Sequence, residues 1–176
     1  SPDARTLQAR LAALCIELVR IPSPTHHEKA LADHLEAWAR SLPSHHSHKI
    51  VRDHHSLIIG SPDGVRPCIA LVGHLDTIPA HEGAPEPHMN GDQIFGVGAS
   101  DMKGSIAVMQ ALFETLNLAE LPFSLMLVLY EREEGNADEN GLNVILQRHE
   151  MLKPIDLAVL MEPTNNTLQL GCLGSI

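Results

Sequence analysis

The sequence predicts an α/β fold, with a mixed, mainly parallel sheet flanked by helices on both faces. Apolar runs of strand length alternate with helical patterns along the 176-residue chain. Three of these runs, at residues 68–72, 125–130 and 155–161, lead directly into histidine or carboxylate side chains. Alternating strands and helices are typical of a sheet covered by helices. Ligands of such sheets bind beyond the carboxyl ends of the strands, so these side chains are expected to face one crevice.

The first two elements are predicted to be helices. Leucines recur at helical spacing through residues 7–18 and predict a helix that ends before Pro22. Thr25 and Glu28 match a capping box, which predicts that a second helix opens there and runs to about Ser41.

The rest of the chain alternates between strands and helices. Residues 49–53 and 57–60 are predicted strands, and a Ser-Pro-Asp-Gly turn leads from them into the strand at 68–72. A long polar loop is predicted over residues 77–93. Loops of this length inside compact domains are often functional. The remaining predicted elements, in addition to the strands at 125–130 and 155–161, are helices at 102–118 and 142–148 and a strand at 167–173.

Composition restricts the class of protein. The length fits one domain spanning residues 1–176, and 44% hydrophobic residues allow a full core. The net charge is −10 and no lysine or arginine cluster is present, which argues against nucleic acid and anionic membranes as partners. No apolar run approaches the ~18 residues of a membrane span. The three cysteines form no C-x-x-C pair, which fits a reducing cytoplasm.

One imidazole and several carboxylates are expected in the crevice. His74 and Asp76 are two residues apart, so in an extended segment both side chains point the same way. This suits a metal-bound imidazole whose other ring nitrogen is held by a carboxylate. An ordinary His–Asp hydrogen bond at a strand end is the alternative interpretation.

Further carboxylates follow the same pattern. Asp101 precedes a predicted helix, Glu133 and Glu134 follow the strand at 125–130, and Glu162 follows the strand at 155–161. Taken singly, they are also explained as a helix cap, a solvated charge run and a loop carboxylate. Together with Asp76 and Glu131 they would repel one another strongly in one crevice unless cations were present. A zinc site is therefore predicted, with the other eleven histidines expected to be solvated.

A zinc site of this kind predicts a metallohydrolase, and two other classes of protein are alternatives to it. Residues 96–101 read G-x-G-x-x-D before a helix, which is close to a dinucleotide fingerprint. The aspartate would repel a pyrophosphate, and no buried strand is predicted before this segment. A non-catalytic metal-binding protein is the other alternative, and the spare carboxylate of Glu133 argues against it, because a hydrolase needs such a base.

With these residues assembled, the chain resembles the zinc-dependent aminoacylase and carboxypeptidase family. Residues 73–79 and 98–105 are most similar to those of its desuccinylases. The resemblance implies cleavage of the amide of an N-acyl amino acid, with N-succinyl-diaminopimelate as the first expected substrate and N-acetylornithine as an alternative. It also implies that His74, Asp101 and Glu162 bind one zinc ion. Asp101 would bridge to a second, held by Glu134, and cobalt would be able to substitute.

The resemblance also implies roles for the remaining residues. Asp76 would orient His74, Glu133 would be the general base, and the Asp101–Met102 peptide would be cis. Relatives carry a further histidine ligand and a lid domain through which full-length subunits pair as homodimers, and this sequence has no counterpart of either. We therefore expect an N-terminal portion of a catalytic domain that binds about one zinc ion tightly and hydrolyses little. His81 and His88 are the candidates if the missing ligand comes from this chain.

Overall fold

The computed structural model describes residues 3–43, 49–165 and 167–169. Two helices come first, α1 (Ala4–Val19) and α2 (Lys29–Ser41). The side chain of Asp3 caps α1 by accepting a hydrogen bond from the Thr6 backbone N–H at 2.9 Å. Both helices end where the sequence predicts, before Pro22 and Pro43.

The capping-box prediction is wrong. The α2 helix begins at Lys29, and the Thr25 hydroxyl donates to Asp76 instead of capping the helix. The Glu28 carboxylate accepts from the backbone N–H groups of His26 and Arg132. The pattern Thr-x-x-Glu therefore marks a segment that supports the functional site.

A five-stranded sheet forms the centre of the described part of the chain, in the order β1-β2-β6-β3-β7. Its strands are β1 (Ile50–Asp53), β2 (Ser56–Ile59), β3 (Cys68–His74), β6 (Ser124–Tyr130) and β7 (Leu157–Leu160). The β3 strand pairs in parallel with β6 and β7, whereas β2 pairs antiparallel with β1 and β6. The predicted mixed sheet is confirmed.

Helices cover both faces of this sheet, as predicted. The remaining helices are α3 (Gly104–Thr115) and α4 (Gly141–Arg148). Side chains alternate along β6, so Leu127 and Leu129 pack with α1, α2 and α3, while Met126 and Val128 pack with Ile145 of α4. Both buried clusters are mainly aliphatic, with Phe113 in the first and Tyr130 in the second.

Three predictions of secondary structure need correction. The loop predicted at 77–93 contains β4 (His88–Asn90), which pairs with β5 (Gln93–Phe95) as a small separate hairpin. The helix predicted from Met102 begins at Gly104, because the backbone is extended at Asp101 (φ −121°, ψ 97°). Residues 167–169 of the strand predicted at 167–173 have no regular structure, and residues 170–173 lie outside the described residues.

Two of the three cysteines belong to the core of the described part of the chain. Cys15 and Cys68 are buried and free, whereas Cys172 lies outside the described residues, as does the His-rich stretch at 45–48. No helix among the described residues is long and apolar enough to cross a membrane.

Candidate metal centre

The site lies at the carboxyl ends of β3 and β6. The parallel register pairs His74, the last residue of β3, with Tyr130, the last residue of β6. Their rings meet edge to face with centroids 6.3 Å apart. Parallel pairing therefore brings the segments that follow the two strands, residues 75–77 and 131–134, to one edge of the sheet.

His74 is the buried centre of the site, with 1% of its side chain exposed. Its Nδ1 lies 2.9 Å from the backbone carbonyl of Asp76, and its Nε2 lies 3.0 Å from the carboxylate of Asp101. The Nδ1–H donates to a carbonyl, so Nε2 is the nitrogen that faces the acidic crevice. That arrangement leaves Nε2 as the ligand atom.

Three candidate ligands lie close enough to share an ion. One ligand atom from each of His74, Asp101 and Glu134 lies within 4.8 Å of the other two. Glu162 approaches from the segment after β7, with its carboxylate 3.8 Å from His74 Nε2. The structure thus brings together the four residues predicted to bind metal. It does not bring in the two loop histidines, since the group around His74 contains neither His81 nor His88 among the described residues.

The acidic groups perturb one another's pKa values. Burial raises the pKa of the Glu134 and Glu162 carboxyls, and the negative charge of Asp101 raises both further. Burial lowers the pKa of His74, but the surrounding carboxylates of Asp76, Glu162 and Asp101 outweigh it and raise that pKa to about 9. In this crevice a positive charge is therefore favoured at the position between His74 and the carboxylates.

Asp76 contacts His74 through its backbone, and its carboxylate makes other contacts. Its carboxylate lies 3.6 Å from His74 Nδ1, too far for a hydrogen bond, and its backbone carbonyl accepts from the ring instead. The carboxylate accepts from the backbone N–H groups of Glu133 at 2.8 Å and Glu134 at 3.0 Å. It also accepts from the Thr25 hydroxyl at 2.9 Å. Burial raises the pKa of Asp76, yet these donors and His74 hold it below its usual range.

Glu133 lies beside the metal ligands but outside their group. Its negative charge raises the pKa of Glu162 and of the buried Tyr130 hydroxyl, which places its carboxylate at the same crevice. Neither Glu133 nor Glu162 belongs to the group whose ligand atoms lie within 4.8 Å of one another, but the Glu162 carboxylate lies 3.8 Å from His74 Nε2.

The prediction that Glu131 faces this crevice is wrong. Its carboxylate contacts His54 at 3.0 Å and Arg132 at 2.5 Å, and it belongs to a separate group with His54 and His55. Residues 131 to 134 leave the strand through Arg132, which has a positive φ of 60°. The change of backbone direction at Arg132 separates Glu131 from the carboxylates that follow it.

The histidines outside the site are less uniformly solvated than predicted. The Nε2–H of His149 donates to the Asp53 carboxylate at 2.8 Å, and the ring of His88 stacks on Phe95 with centroids 4.9 Å apart. The polar stretches that contain these histidines did not show that Asp53 and Phe95 would lie beside them.

Two glycines of the segment that resembles a dinucleotide fingerprint, residues 96–101, are explained by backbone conformation and close packing. Gly98 has φ of 78°, and a Cβ there would lie 2.5 Å from Thr77 Cγ2. Gly96 has φ of 143°, and a Cβ there would lie 2.4 Å from Val19 Cγ1. The short hairpin strand β5 precedes this segment in place of a buried parallel strand. The Asp101–Met102 peptide that follows is cis, as expected.

Sequence reasoning missed Thr25, Glu28 and Tyr130 as parts of the site. Thr25 and Glu28 bind the segments after β3 and β6 through Asp76 and the Arg132 backbone. Their signal in the sequence was the same Thr-x-x-Glu pattern that also describes a helix cap. Tyr130 was visible only as the last apolar residue of a strand.

A named relative is similar in sequence to most of the chain. The chain is 35% identical over 160 residues to a protein named succinyl-diaminopimelate desuccinylase from Corynebacterium glutamicum, covering 90% of this chain and 43% of the relative. The chain thus spans less than half the length of that relative.

Solved structures share the fold. Human carnosine dipeptidase 1 superposes with a TM-score of 0.69 at 17% identity, covering 89% of this chain and 39% of that one. The YXEP protein of Bacillus subtilis, described as a dinuclear metal binding peptidase from the M20 family, superposes with a TM-score of 0.61 at 16% identity. It covers 89% of this chain and 43% of that one.

The family comparison covers the strands and loops that build the site. The model of peptidase family M20/M25/M40 matches residues 70–172, more than half of the chain. The chain therefore belongs to peptidase family M20/M25/M40.

Proposed function

We propose that this chain supplies the N-terminal part of the catalytic domain of a zinc-dependent hydrolase that cleaves the amide of an N-acyl amino acid. The observation that carries the proposal is the meeting of His74, Asp101 and Glu134 within 4.8 Å, with Glu162 3.8 Å from His74. Three carboxylates and one imidazole at strand ends match the ligands that zinc takes in catalytic sites.

The residues present fit such ions. Nε2 of His74 faces the carboxylates while Nδ1 is occupied by the Asp76 carbonyl. Burial raises the pKa of Glu134 and Glu162, and the negative charge of Asp101 raises both further, so bound cations would stabilise these carboxylates. His74, Asp101 and Glu162 would hold one ion, and Asp101 with Glu134 would contribute to a second. When bound, such ions would polarise the scissile carbonyl and lower the pKa of the attacking water.

Side chains of the protein would transfer the proton and hold the site in place. Glu133 would take the proton of the attacking water and deliver it to the leaving amine nitrogen. Asp76 would keep Glu133 and Glu134 in place through their backbone N–H groups. Thr25 would in turn fix the Asp76 carboxylate from its other side. The burial of His74 and Asp76 removes water from behind the ligands.

The proposed substrate is N-succinyl-diaminopimelate, cleaved to succinate and diaminopimelate, which would serve lysine and cell-wall precursor synthesis. The support is the 35% identity to a protein of that name and the motifs at 73–79 and 98–105. A small-molecule substrate, a cytoplasmic location and a homodimer formed through a lid domain belong to the same proposal. For the 176-residue chain by itself, we expect about one zinc ion at this centre and little hydrolysis, because the second ion has two ligands.

Substitutions at Glu133 and Glu134 distinguish the proposed general base from a proposed metal ligand. In the full-length protein, Glu133→Gln is expected to leave the zinc content unchanged and to lower kcat by about 10²–10⁴-fold, the usual contribution of a general base. Glu134→Gln is expected to lower zinc content, and Glu82→Gln in the exposed loop is the matched control. Equal metal loss in Glu133→Gln would make Glu133 a ligand and overturn the assignment.

A substrate panel decides the acyl group. Hydrolysis of N-succinyl-diaminopimelate, N-acetylornithine and N-acyl-glutamates is measured with the same zinc-loaded protein. The proposal expects the highest kcat/KM for the first. A preference for N-acetylornithine would keep the reaction class and replace the substrate, and no hydrolysis of any of the three by a zinc-loaded protein would refute the proposed activity.

A further inference from the structure

A second group of metal-ligating side chains lies on the other side of the β6 strand end. His54 and His55 form the two-residue loop between β1 and β2, and Glu131 follows β6. One ligand atom from each of the three lies within 4.8 Å of the others. This group shares no residue with the one around His74.

The Glu131 carboxylate is fixed at the centre of this group. Its side chain is 3% exposed, and one oxygen accepts from Arg132 at 2.5 Å. The other oxygen lies 3.0 Å from His54 Nδ1 and 3.2 Å from the backbone N–H of His55. Arg132 therefore orients the carboxylate so that its second oxygen faces the two histidines, which is how a supporting group orients a metal ligand.

A ring nitrogen of each histidine lies within 4.8 Å of the Glu131 carboxylate. The two ring centroids are 4.6 Å apart. The Nδ1 atom of His55 is buried without a hydrogen-bond partner among the described residues. A buried polar atom without a partner is uncommon and calls for an explanation such as an ion.

The distances suit tetrahedral zinc. Bonds of about 2.0–2.1 Å place neighbouring ligand atoms of such an ion about 3.3 Å apart. The pair formed by Glu131 and His54 is 3.0 Å apart, close to that value. A cavity of about 130 Å³ lined in part by His54, Glu131 and Arg132 adjoins the group and leaves room for a water molecule as a fourth ligand.

The backbone of the loop is also unusual. His54 has φ of 58°, in the left-handed region where glycine or asparagine is the common choice in tight hairpins. Histidine is among the residue types enriched in this region, and here the loop brings Nδ1 of His54 to 3.0 Å from the Glu131 carboxylate. A ligand role for its side chain would explain why this residue type occupies the position.

We propose that His54, His55 and Glu131 form a separate zinc site, outside the hydrolytic centre. Imidazole nitrogens with one carboxylate are ligands that zinc accepts, whereas magnesium and calcium require oxygen ligands. The site has three protein ligands and an open position beside the cavity. Its occupancy adds one zinc equivalent to the metal bound around His74.

The experiment isolates this site by removing the other. Zinc binding is measured by isothermal titration and by metal analysis after gel filtration, using the 176-residue chain with His74→Ala. We expect about one equivalent to remain, and no competition from magnesium. Adding His54→Gly should weaken that binding at least ~10-fold, since even supporting groups of metal ligands contribute this much. Glycine is compatible with the positive φ, so this variant retains the fold of the loop.

Two further variants complete the test. His55→Ala should weaken the binding to a similar extent, whereas His88→Ala, a histidine stacked on the separate hairpin, should leave it unchanged. If the His74→Ala chain binds no zinc, or if His54→Gly and His55→Ala bind as tightly as their parent, the group is an ion-pair network and the inference is overturned. Neither result bears on the hydrolytic centre, whose metal is tested by comparing the His74→Ala chain with the unmodified one.

Discussion

The substitution Asp76→Asn tests how the site is held together. The Asp76 carboxylate is 1% exposed and accepts three hydrogen bonds, from Glu133 N–H, Glu134 N–H and the Thr25 hydroxyl. Asparagine has nearly the same shape but offers one acceptor oxygen. Its amide nitrogen must then face one of the donors, either Glu133 N–H or the pair on the other oxygen.

The expected loss follows from these contacts. With the asparagine oxygen toward Glu134 and Thr25, the Glu133 hydrogen bond is lost, and hydrogen bonds to a charged group contribute about 1.5–3 kcal/mol each. The two that remain become neutral and weaken by about 1 kcal/mol each. Removing a buried charge offsets part of this cost. We therefore expect the free energy of unfolding to fall by about 2–4 kcal/mol.

The assay is urea unfolding of the metal-free chain at pH 7, followed by circular dichroism. Asp138→Asn, at an exposed loop carboxylate, is the control and should change the free energy by less than about 0.5 kcal/mol. His74 should keep its Nδ1–H bond to the residue 76 carbonyl in both variants, because the backbone supplies that acceptor. A loss for Asp76→Asn no larger than the control's would refute the role of Asp76 in holding residues 133 and 134.

Three further predictions test packing and protonation. Gly141→Ala should destabilise the fold by about 1–3 kcal/mol in urea unfolding, because its Cβ would lie 2.6 Å from the Glu131 carbonyl oxygen. Gly135→Ala, with a nearest contact of 3.1 Å, should cost less, and equal losses would contradict this. Leu127→Ala, fully buried in β6, should cost about 2–5 kcal/mol by the same measurement, and a loss below 1 kcal/mol would contradict its placement. Since the pKa of His74 is raised from 6.5 to about 9, its protonated form stabilises the metal-free fold fully below pH 6.5 and the effect is lost as the pH rises through 9. Zinc binding at this centre should therefore release about one proton at pH 7.5 and fewer above pH 9, measured by calorimetry in buffers of different ionisation enthalpy, and no release at pH 7.5 would contradict the raised pKa.

The sequence by itself determined the class of fold and the candidate residues for a metal centre. Apolar runs of strand length show which segments are buried, and the position of His74, Glu134 and Glu162 after such runs shows that their side chains gather at one edge. The family resemblance supplied the roles of individual ligands, whereas local patterns and a general rule of sheet geometry supplied the expected gathering. These inferences needed no knowledge of how the strands are ordered.

Tertiary structure alone decided the partners of each group. Thr25 and Asp76 are 51 residues apart in sequence, and the pattern around Thr25 described a helix cap equally well until the chain placed it beside β3. The sequence did not show which oxygen of Asp76 meets His74. The carbonyl lies 2.9 Å from Nδ1 and the carboxylate 3.6 Å, and this difference of less than 1 Å decides which oxygen accepts.

Glu131 shows the same limit most clearly. Glu131 lies three residues from Glu134 in sequence and was predicted to face the same crevice. The backbone instead turns at Arg132, which has a positive φ, and the Glu131 side chain contacts His54 and His55 on the β1–β2 loop. The direction of a side chain after a strand depends on backbone angles set by packing, and residue identity specifies those angles weakly outside glycine and proline. The sequence therefore determined which residues meet at the end of the sheet, and the tertiary structure decided which of them face one another.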